Sequence, residues 1–293
     1  MKSLIGLMKA AAAGWKDDFA SSMGAALAYY TVFSIAPLLV IVIAISALAF
    51  GHQAAQQEIL GQARDMLGAE GASVLETMLR NAQHPSEGII ASALSIVALI
   101  FGAIGVFNEL ESDLNRIWKV TATQPSGIWG LVRTRLLSFG MIIAIGFLLL
   151  VSLIISAALA AWGKYWAGSV AGTEVLLHAA YFAVSFAVIT VLFAMIYKFL
   201  PRTRIQWKDV WMGAAVTALL FTIGKFVIGL YLGKSTVASS YGAAGALVIL
   251  LLWVYYSAQI FLLGAEFTKA YADSHGALGQ RAVPHSHDEF GTV

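Results

Sequence analysis

The sequence predicts an all-α, polytopic membrane protein with six transmembrane helices. Of its 293 residues, 59% are hydrophobic and 12% are charged, whereas soluble domains average about 45–50% apolar and 25% charged residues. Apolar runs long enough to cross about 30 Å of hydrocarbon recur along the whole chain, so the protein is not held by a single anchor. The chain contains no cysteine, which excludes disulfide bonds, thiolate metal sites and cysteine nucleophiles.

The apolar runs define a transmembrane domain over residues 23–271. Its six predicted spans lie near residues 23–50, 88–107, 136–162, 175–198, 209–232 and 241–265. Six crossings place both ends of the chain on one side of the membrane. Thirteen of the 18 Lys and Arg residues fall on that side and four on the other, while Lys225 lies inside a span. The positive-inside rule therefore predicts cytoplasmic termini.

Residues 1–22 are predicted to form an amphipathic helix in the inner membrane interface. Apolar residues recur at helical spacing and three lysines share another face at seven-residue intervals. The apolar set is Leu4, Met8, Ala12, Trp15 and Phe19. A basic amphipathic helix suits a membrane surface, and the alternative is a helical lead-in that packs on the bundle.

A short extracytoplasmic helical hairpin is predicted at residues 52–87, between the first two spans. Two amphipathic patterns flank Gly68 and Gly71, where we expect the chain to turn. Five acidic residues against two arginines suit the side of the membrane that is poor in positive charge. The hairpin is either a connecting cap or a docking site for an envelope protein partner.

The stretch FTIGKFVIGLYLGKST, residues 221–236, places Lys225 deep in an apolar run. By helical rise, Lys225 lies about 10 Å below the outer boundary of its span. Helical side chains tilt toward the N-terminus, which here points toward the bilayer centre, so snorkelling outward is geometrically poor. An ammonium group that faces lipid at this depth costs roughly 3 to 10 kcal/mol. Lys225 is therefore either a functional, cavity-lining group or a structural tie to a neighbouring polar atom.

The same stretch resembles a phosphate-binding loop only superficially. Only three residues separate Gly229 from the Gly-Lys pair that begins at Gly233, where the Walker pattern needs four. The GLYLG segment is better explained as a seam of small residues that lets helices approach closely. No metalloprotease, hydrolase or dinucleotide-binding motif occurs in the chain, so the sequence predicts no enzymatic activity and no cofactor.

Potential partners of Lys225 are Glu174 and His178, one turn apart at the outer start of the fourth predicted span. A second polar set is predicted on the inner half of the bundle. It consists of Tyr29, Tyr30 and Pro37 on the first span and Tyr255, Tyr256, Gln259 and Glu266 on the sixth. Because Pro37 is expected to weaken or kink its helix, this set predicts a cavity open to the cytoplasm. Aromatic belts at the interface explain several of the tyrosines equally well.

An amphipathic helix is predicted to follow the second span. Glu109, Asp113 and Arg116 share one face at i, i+4 and i+7, while Leu110, Leu114 and Ile117 line another. Ion pairs on a solvated helix end explain the polar face.

The tail at residues 272–293 is predicted to be flexible and cytoplasmic. Its HSHDEF segment could bind a metal weakly, but a short polar terminus is usually only solvated, so no metal site is predicted.

Four segments resemble, in order and spacing, the YihY/BrkB family of bacterial inner-membrane proteins. They are LAYYTVFSIAPLL (27–39), LNRIWKV (114–120), YKFLPRTRIQWKDVWMGA (197–214) and YGAAGALVILLLWVYYSAQIFLLGAE (241–266). The resemblance covers about residues 15 to 272. It implies a six-helix, multi-pass inner-membrane protein. An old family label, ribonuclease BN, does not fit this chain, because the sequence offers neither clustered metal ligands nor a basic face for nucleic acid.

The leading hypothesis for function is a non-enzymatic protein that translocates or hands over an anionic amphiphile, a phospholipid or a lipopolysaccharide-type lipid, in envelope biogenesis. Lys225 would meet the head group, and the basic inner fringe suits anionic membrane lipids as partners. The rival hypothesis is a secondary antiporter of Na⁺ or K⁺ against H⁺, which ordinarily needs carboxylates near the midplane of its spans. A third hypothesis is a membrane scaffold that docks a partner through residues 52–87. The sequence does not predict an oligomeric state.

Overall fold

The computed structural model describes residues 3–83, 105–120, 140, 173–203, 205–234 and 245–275. Throughout these ranges the regular structure is α-helical, with no strand. The predicted all-α class is therefore confirmed.

Seven helical segments are described. They are α1 (Leu4–Asp17), α2 (Ala20–Phe50), α3 (His52–Gln83), α4 (105–117), α5 (Thr173–Phe199), α6 (Trp207–Lys234) and α7 (Gly245–Ser274). Three of these helices are long and apolar enough to cross a membrane, over Phe182–Phe199, Trp207–Tyr231 and Leu247–Ser274. These stretches coincide with the fourth, fifth and sixth predicted spans.

The first predicted span lies within α2, which continues as one helix through Pro37. Most of the second span, 88–107, and of the third, 136–162, lies outside the described residues. The count of six spans and the cytoplasmic position of the termini therefore stay predictions.

Helix α7 is the centre of the described bundle, because it packs against α1, α2, α3 and α6. The largest core cluster joins α2, α4, α5, α6 and α7 around fully buried side chains such as Leu114, Tyr197 and Leu262. The Tyr197 hydroxyl donates to the Phe261 carbonyl at 2.7 Å and lies 3.2 Å from Thr217 Oγ1. A buried phenol with two polar neighbours fixes α5, α6 and α7 at one level.

Helix α1 packs along α7, through a face centred on Leu7 and Ala11. Ser3 caps its first turn by accepting a hydrogen bond from the Gly6 amide at 3.2 Å. Leu7 and Ala11 form the buried face, in one cluster with Phe267 of α7. Leu4, which belongs to the apolar face predicted to meet the membrane interface, is 67% exposed. The contacts therefore show a helix packed on the bundle, with exposed apolar residues left to meet an interface.

The turn predicted inside residues 52–87 needs a correction. Helix is continuous from His52 to Gln83, with no break at Gly68 or Gly71. The segment nevertheless folds back, because Ala55 and Leu79 belong to one small buried cluster with Ile43. A straight helix would separate two residues at this spacing by about 36 Å. Both ends of the segment therefore pack near Ile43 of α2 without an interruption at the predicted turn, and the extracytoplasmic hairpin stays a prediction.

Helices α6 and α7 contact each other closely through two matching glycine–threonine pairs. In each pair one helix supplies the glycine and the other supplies the threonine. A Cβ placed on Gly213 would lie 1.8 Å from Thr268 Oγ1, and one placed on Gly264 would lie 2.0 Å from Thr217 Oγ1. Each threonine also donates to the glycine carbonyl one turn earlier on its own helix, at 2.7 Å. Close approach across small residues is typical of membrane helix pairs, so the seam fixes the register of α6 against α7.

Single cysteines test the predicted orientation, since the chain has none of its own. We expect Gln57→Cys, on an exposed position of α3, to react with an impermeant maleimide in intact cells. We expect Lys208→Cys, exposed at the start of α6, to react only after the membrane is opened. The reversed labelling pattern would contradict cytoplasmic termini.

Candidate functional site

Lys225 lies on α6 at the edge of a stripe of exposed apolar side chains. It is half-buried, while Ile223, Phe226, Val227 and Leu230 are 54%, 68%, 51% and 48% exposed. Exposed apolar side chains on a helix that crosses a membrane face lipid. By helical rise, Lys225 lies about 27 Å from Trp207 and about 13 Å from Lys234, well inside the helix.

Within the described part of the chain, Lys225 makes no ion pair and no hydrogen bond from its ammonium group. The side chains of Glu174 and His178 lie outside the described residues, but their backbone lies in α5. From the Tyr197–Thr217 contact, His178 lies about 28 Å along α5 and Lys225 about 12 Å along α6. By helical rise the two positions therefore differ by about 16 Å in their distance from this contact, and the pairing of Lys225 with Glu174 or His178 stays a prediction.

Tyr256 is the predicted site residue that packs against Gly224, the residue before Lys225 in α6. A Cβ on the neighbouring Gly224 would lie 3.1 Å from Tyr256 Cε1 and 3.3 Å from its hydroxyl oxygen. One turn beyond Lys225, a Cβ on the exposed Gly229 would meet nothing within 4 Å. The residue before Lys225 thus packs against a phenol, whereas the residue one turn after it faces open space.

The inner polar set does not converge as a single cavity lining. Tyr29 is 59% exposed and its ring packs against Phe33 at 4.9 Å between centroids. Tyr30 lies against Gly105 of α4, and Tyr255 packs against the cluster that joins α2, α3 and α7. The side chain of Pro37 lies outside the described residues. A cavity open to the cytoplasm stays a prediction.

Gln259 and Glu266 do come together with the junction between α1 and α2. Gln259 Nε2 donates to the Ala20 carbonyl at 3.4 Å, and its Oε1 is buried without a partner among the described residues. Glu266 is only 3% exposed. Its Oε2 would lie 2.4 Å from a Cβ on Gly14, so the absence of a side chain at Gly14 lets this carboxylate reach α1.

Helix α4 has the predicted apolar face. Its polar face, predicted to be solvated, is partly buried. Leu114 and Ile117 are buried in the main cluster, and Asp113 is only 4% exposed. Burial, with a smaller contribution from Glu109, raises the pKa of Asp113 to about 7, against the opposing effect of Arg116. The carboxyl group therefore changes charge near neutral pH, because desolvation disfavours its ionised form.

The sequence interpretation missed the contacts that tie α4 to two junctions. Lys119 Nζ pairs with Asp18 Oδ1 at 2.5 Å at the α1–α2 junction. On the α5–α6 connection, Arg202 pairs with Glu111, and its backbone amide donates to Asn115 Oδ1 at 2.8 Å. These residues lie in or beside the LNRIWKV and YKFLPRTR segments, but no spacing rule connects residues about 100 positions apart.

Two residues at the α1–α2 and α4 ends adopt left-handed backbone. Phe19 has φ 58° and Lys119 has φ 52°, and among the described residues no other non-glycine residue has a positive φ. The Arg116 guanidinium lies 5.8 Å from the centre of the Phe19 ring. Such backbone costs about 1 kcal/mol or more per residue, so the surrounding contacts hold both chain reversals in place.

Metal binding finds no support in the described part of the chain, where no group of three or more His, Cys, Asp or Glu side chains could hold an ion. The HSHDEF segment of the tail lies outside the described residues.

Comparison with known proteins places the chain among bacterial membrane proteins. The sequence model of a family described as virulence factor BrkB matches residues 11–287. A UPF0761 membrane protein of Ralstonia nicotianae is 30% identical over 85% of this chain and 55% of the relative. One from Stenotrophomonas maltophilia is 26% identical over 94% of this chain and 63% of the relative. One from Pseudoalteromonas translucida is 26% identical over 86% of this chain and 81% of the relative.

The chain spans between 55% and 63% of the length of the Ralstonia and Stenotrophomonas relatives. Their names describe membrane proteins and state no substrate or reaction. No solved structure matches the chain at a comparable level of similarity.

Proposed function

The chain belongs to the virulence factor BrkB family of membrane proteins, and from that premise we propose that it translocates or hands over an anionic amphiphile. The substrate is a phospholipid or a lipopolysaccharide-type lipid of the bacterial inner membrane. The protein carries out no covalent chemistry in this role. It provides a polar contact for the head group within hydrocarbon.

One observation carries the proposal: Lys225 is a cation at the edge of the lipid-facing stripe of α6, with no anionic partner in the described part of the chain. An unpaired ammonium group within hydrocarbon is costly. An anionic head group that enters from the lipid side removes that cost by charge pairing. Acyl chains can then lie along Phe226, Val227 and Leu230, which are already exposed.

The neighbours of Lys225 suit a transient head-group contact. The Tyr256 hydroxyl beside Gly224 offers a second hydrogen-bond donor to a phosphate oxygen. The open space at Gly229 leaves room on the lipid side one turn further along the helix. A lysine presents a compact charge on a flexible stem, which suits a head group that binds and leaves.

Reconstitution tests the proposal. Purified protein in liposomes is expected to accelerate the transfer of fluorescent phosphatidylglycerol between leaflets. The transfer of zwitterionic phosphatidylcholine is expected to be accelerated much less. The difference is expected because only the anionic head group keeps a net charge opposite to that of Lys225. Equal rates with and without protein would contradict the proposal. Na⁺ or K⁺ flux driven by a pH gradient, without lipid transfer, would favour the antiporter instead.

A further inference from the structure

Two buried carboxyl groups meet where α1 ends and α2 begins. Asp18 caps the C-terminus of α1 and is 4% exposed, and Glu266 of α7 is 3% exposed. Glu266 lies against Gly14, one turn before Asp18, and the Asp18 amide donates to the Gly14 carbonyl at 2.8 Å. Glu266 therefore reaches α1 within one helical turn of Asp18.

The hydrogen bonds of this pair are incomplete without an additional proton. Lys119 donates to Asp18 Oδ1, but Asp18 Oδ2 and Glu266 Oε1 are buried and have no donor among the described residues. Two ionised carboxylates have only acceptor atoms, so they cannot hydrogen-bond to each other. A proton held between them supplies the missing donor and removes the repulsion between like charges.

We propose that Asp18 and Glu266 form a proton-binding site in which one proton is shared between the two carboxyl groups. With the proton in place, Lys119 balances the single remaining negative charge at the junction. The site binds the proton without breaking a covalent bond, and it releases the proton to water when the junction opens.

The other charged groups around the pair affect how strongly it holds the proton. Lys269 lies one turn from Glu266 on α7, and Lys119 reaches the pair from the end of α4. Both lysines favour ionised carboxylates, whereas burial and the second carboxyl group favour the proton. Lys119 is 61% exposed on its side chain, so solvent screens its charge and weakens its effect on the pair.

Loss of the proton has a structural consequence. It leaves two buried negative charges between α1 and α7, whose contact rests otherwise on Leu7, Ala11 and Phe267. We therefore expect deprotonation to weaken the docking of α1 on α7. The site is distinct from that of Lys225, because the neighbouring Gly224 packs against Tyr256, ten residues before Glu266 on α7.

Infrared spectroscopy of the full chain in lipid nanodiscs tests the site. A titration over about pH 5 to 9, where ordinary carboxyl groups are ionised, is expected to show a protonated-carboxyl C=O band that disappears as pH rises. A background of Asp113→Asn with Asp209→Asn removes the other two buried carboxyl groups among the described residues. In that background, Glu266→Gln and Asp18→Asn are each expected to abolish at least half of the band.

Asp17→Asn is the matched control, because Asp17 is the neighbouring acid and is exposed. Its spectrum is expected to keep the whole band. A band of full intensity in both Glu266→Gln and Asp18→Asn would overturn the proposal, as would the absence of a protonated-carboxyl band in the parent protein. Glutamine can still donate to Asp18, so the Glu266 variant is expected to fold. If it does not fold, the Asp18→Asn spectrum decides the question alone.

Discussion

Replacing Gly264 with alanine is expected to lower the free energy of unfolding by about 2–4 kcal/mol, the range of an overpacked interface that also loses a buried hydrogen bond. The new methyl group would lie 2.0 Å from Thr217 Oγ1 and 2.7 Å from the Tyr197 hydroxyl. Thr217 is β-branched and fully buried, so it cannot rotate away cheaply. Helices α6 and α7 would have to separate, and the Tyr197 hydrogen bonds would weaken.

The measurement is thermal unfolding in detergent, followed by circular dichroism and size-exclusion chromatography. Gly229→Ala is the control, because a Cβ at that position meets nothing within 4 Å. Alanine is the better helix former by about 0.5–1 kcal/mol, so this variant is expected to be as stable as the parent or slightly more stable. Equal unfolding temperatures for the two variants would contradict the interlocked seam.

Replacing Lys225 with methionine is expected to reduce protein-dependent transfer of phosphatidylglycerol by at least tenfold. Methionine keeps the length of the side chain but removes its charge, and loss of one charge-assisted hydrogen bond of about 1.5–3 kcal/mol corresponds to a factor of this size. Lys225→Arg is expected to keep part of the activity, because its planar guanidinium presents the charge differently. Lys225→Glu is expected to be the least active, because it repels the same head group.

The folded state has to survive for this comparison to be informative. Removing a partly buried charge relieves a desolvation cost, so Lys225→Met is expected to unfold at the same or a higher temperature than the parent. Lys208→Met, on an exposed position at the start of the same helix, controls for the loss of one positive charge. If Lys225→Met fails to insert or to survive extraction, the lysine is a structural tie and the proposed contact is wrong.

The helices could be predicted because a helix that crosses hydrocarbon needs a long run of apolar residues. Such a run can be recognised in the sequence without knowing what each residue contacts. The stretches over Phe182–Phe199, Trp207–Tyr231 and Leu247–Ser274 coincide with predicted spans for this reason. The apolar face of α4 followed from the spacing of Leu110, Leu114 and Ile117 in the same way. Periodicity reports which face of a helix is buried, but it does not report the neighbour.

Register between helices was the part that the sequence could not supply. The pairing of Lys225 with Glu174 or His178 assumed that depth can be counted from the ends of apolar runs. By helical rise from the Tyr197–Thr217 contact, the two levels differ by about 16 Å, and the pairing stays a prediction.

The Asp18–Glu266 pair was missed for a related reason. Glu266 was assigned to the inner polar set, whereas Asp18 stood in the predicted interfacial segment and attracted no prediction. Gly14 is the signal that could have connected them, because a glycine within an amphipathic helix marks a close approach of another chain segment. The partner at Gly14 becomes visible only once α1 is seen to pack along α7.

Direct measurement of lipid binding tests the central claim, that Lys225 contacts an anionic head group. Native mass spectrometry of the protein extracted with equal amounts of phosphatidylglycerol and phosphatidylcholine counts the lipids that remain bound. The account predicts that the parent protein and Lys208→Met retain phosphatidylglycerol preferentially, whereas Lys225→Met retains both lipids equally. Undiminished preference for phosphatidylglycerol in Lys225→Met would contradict it.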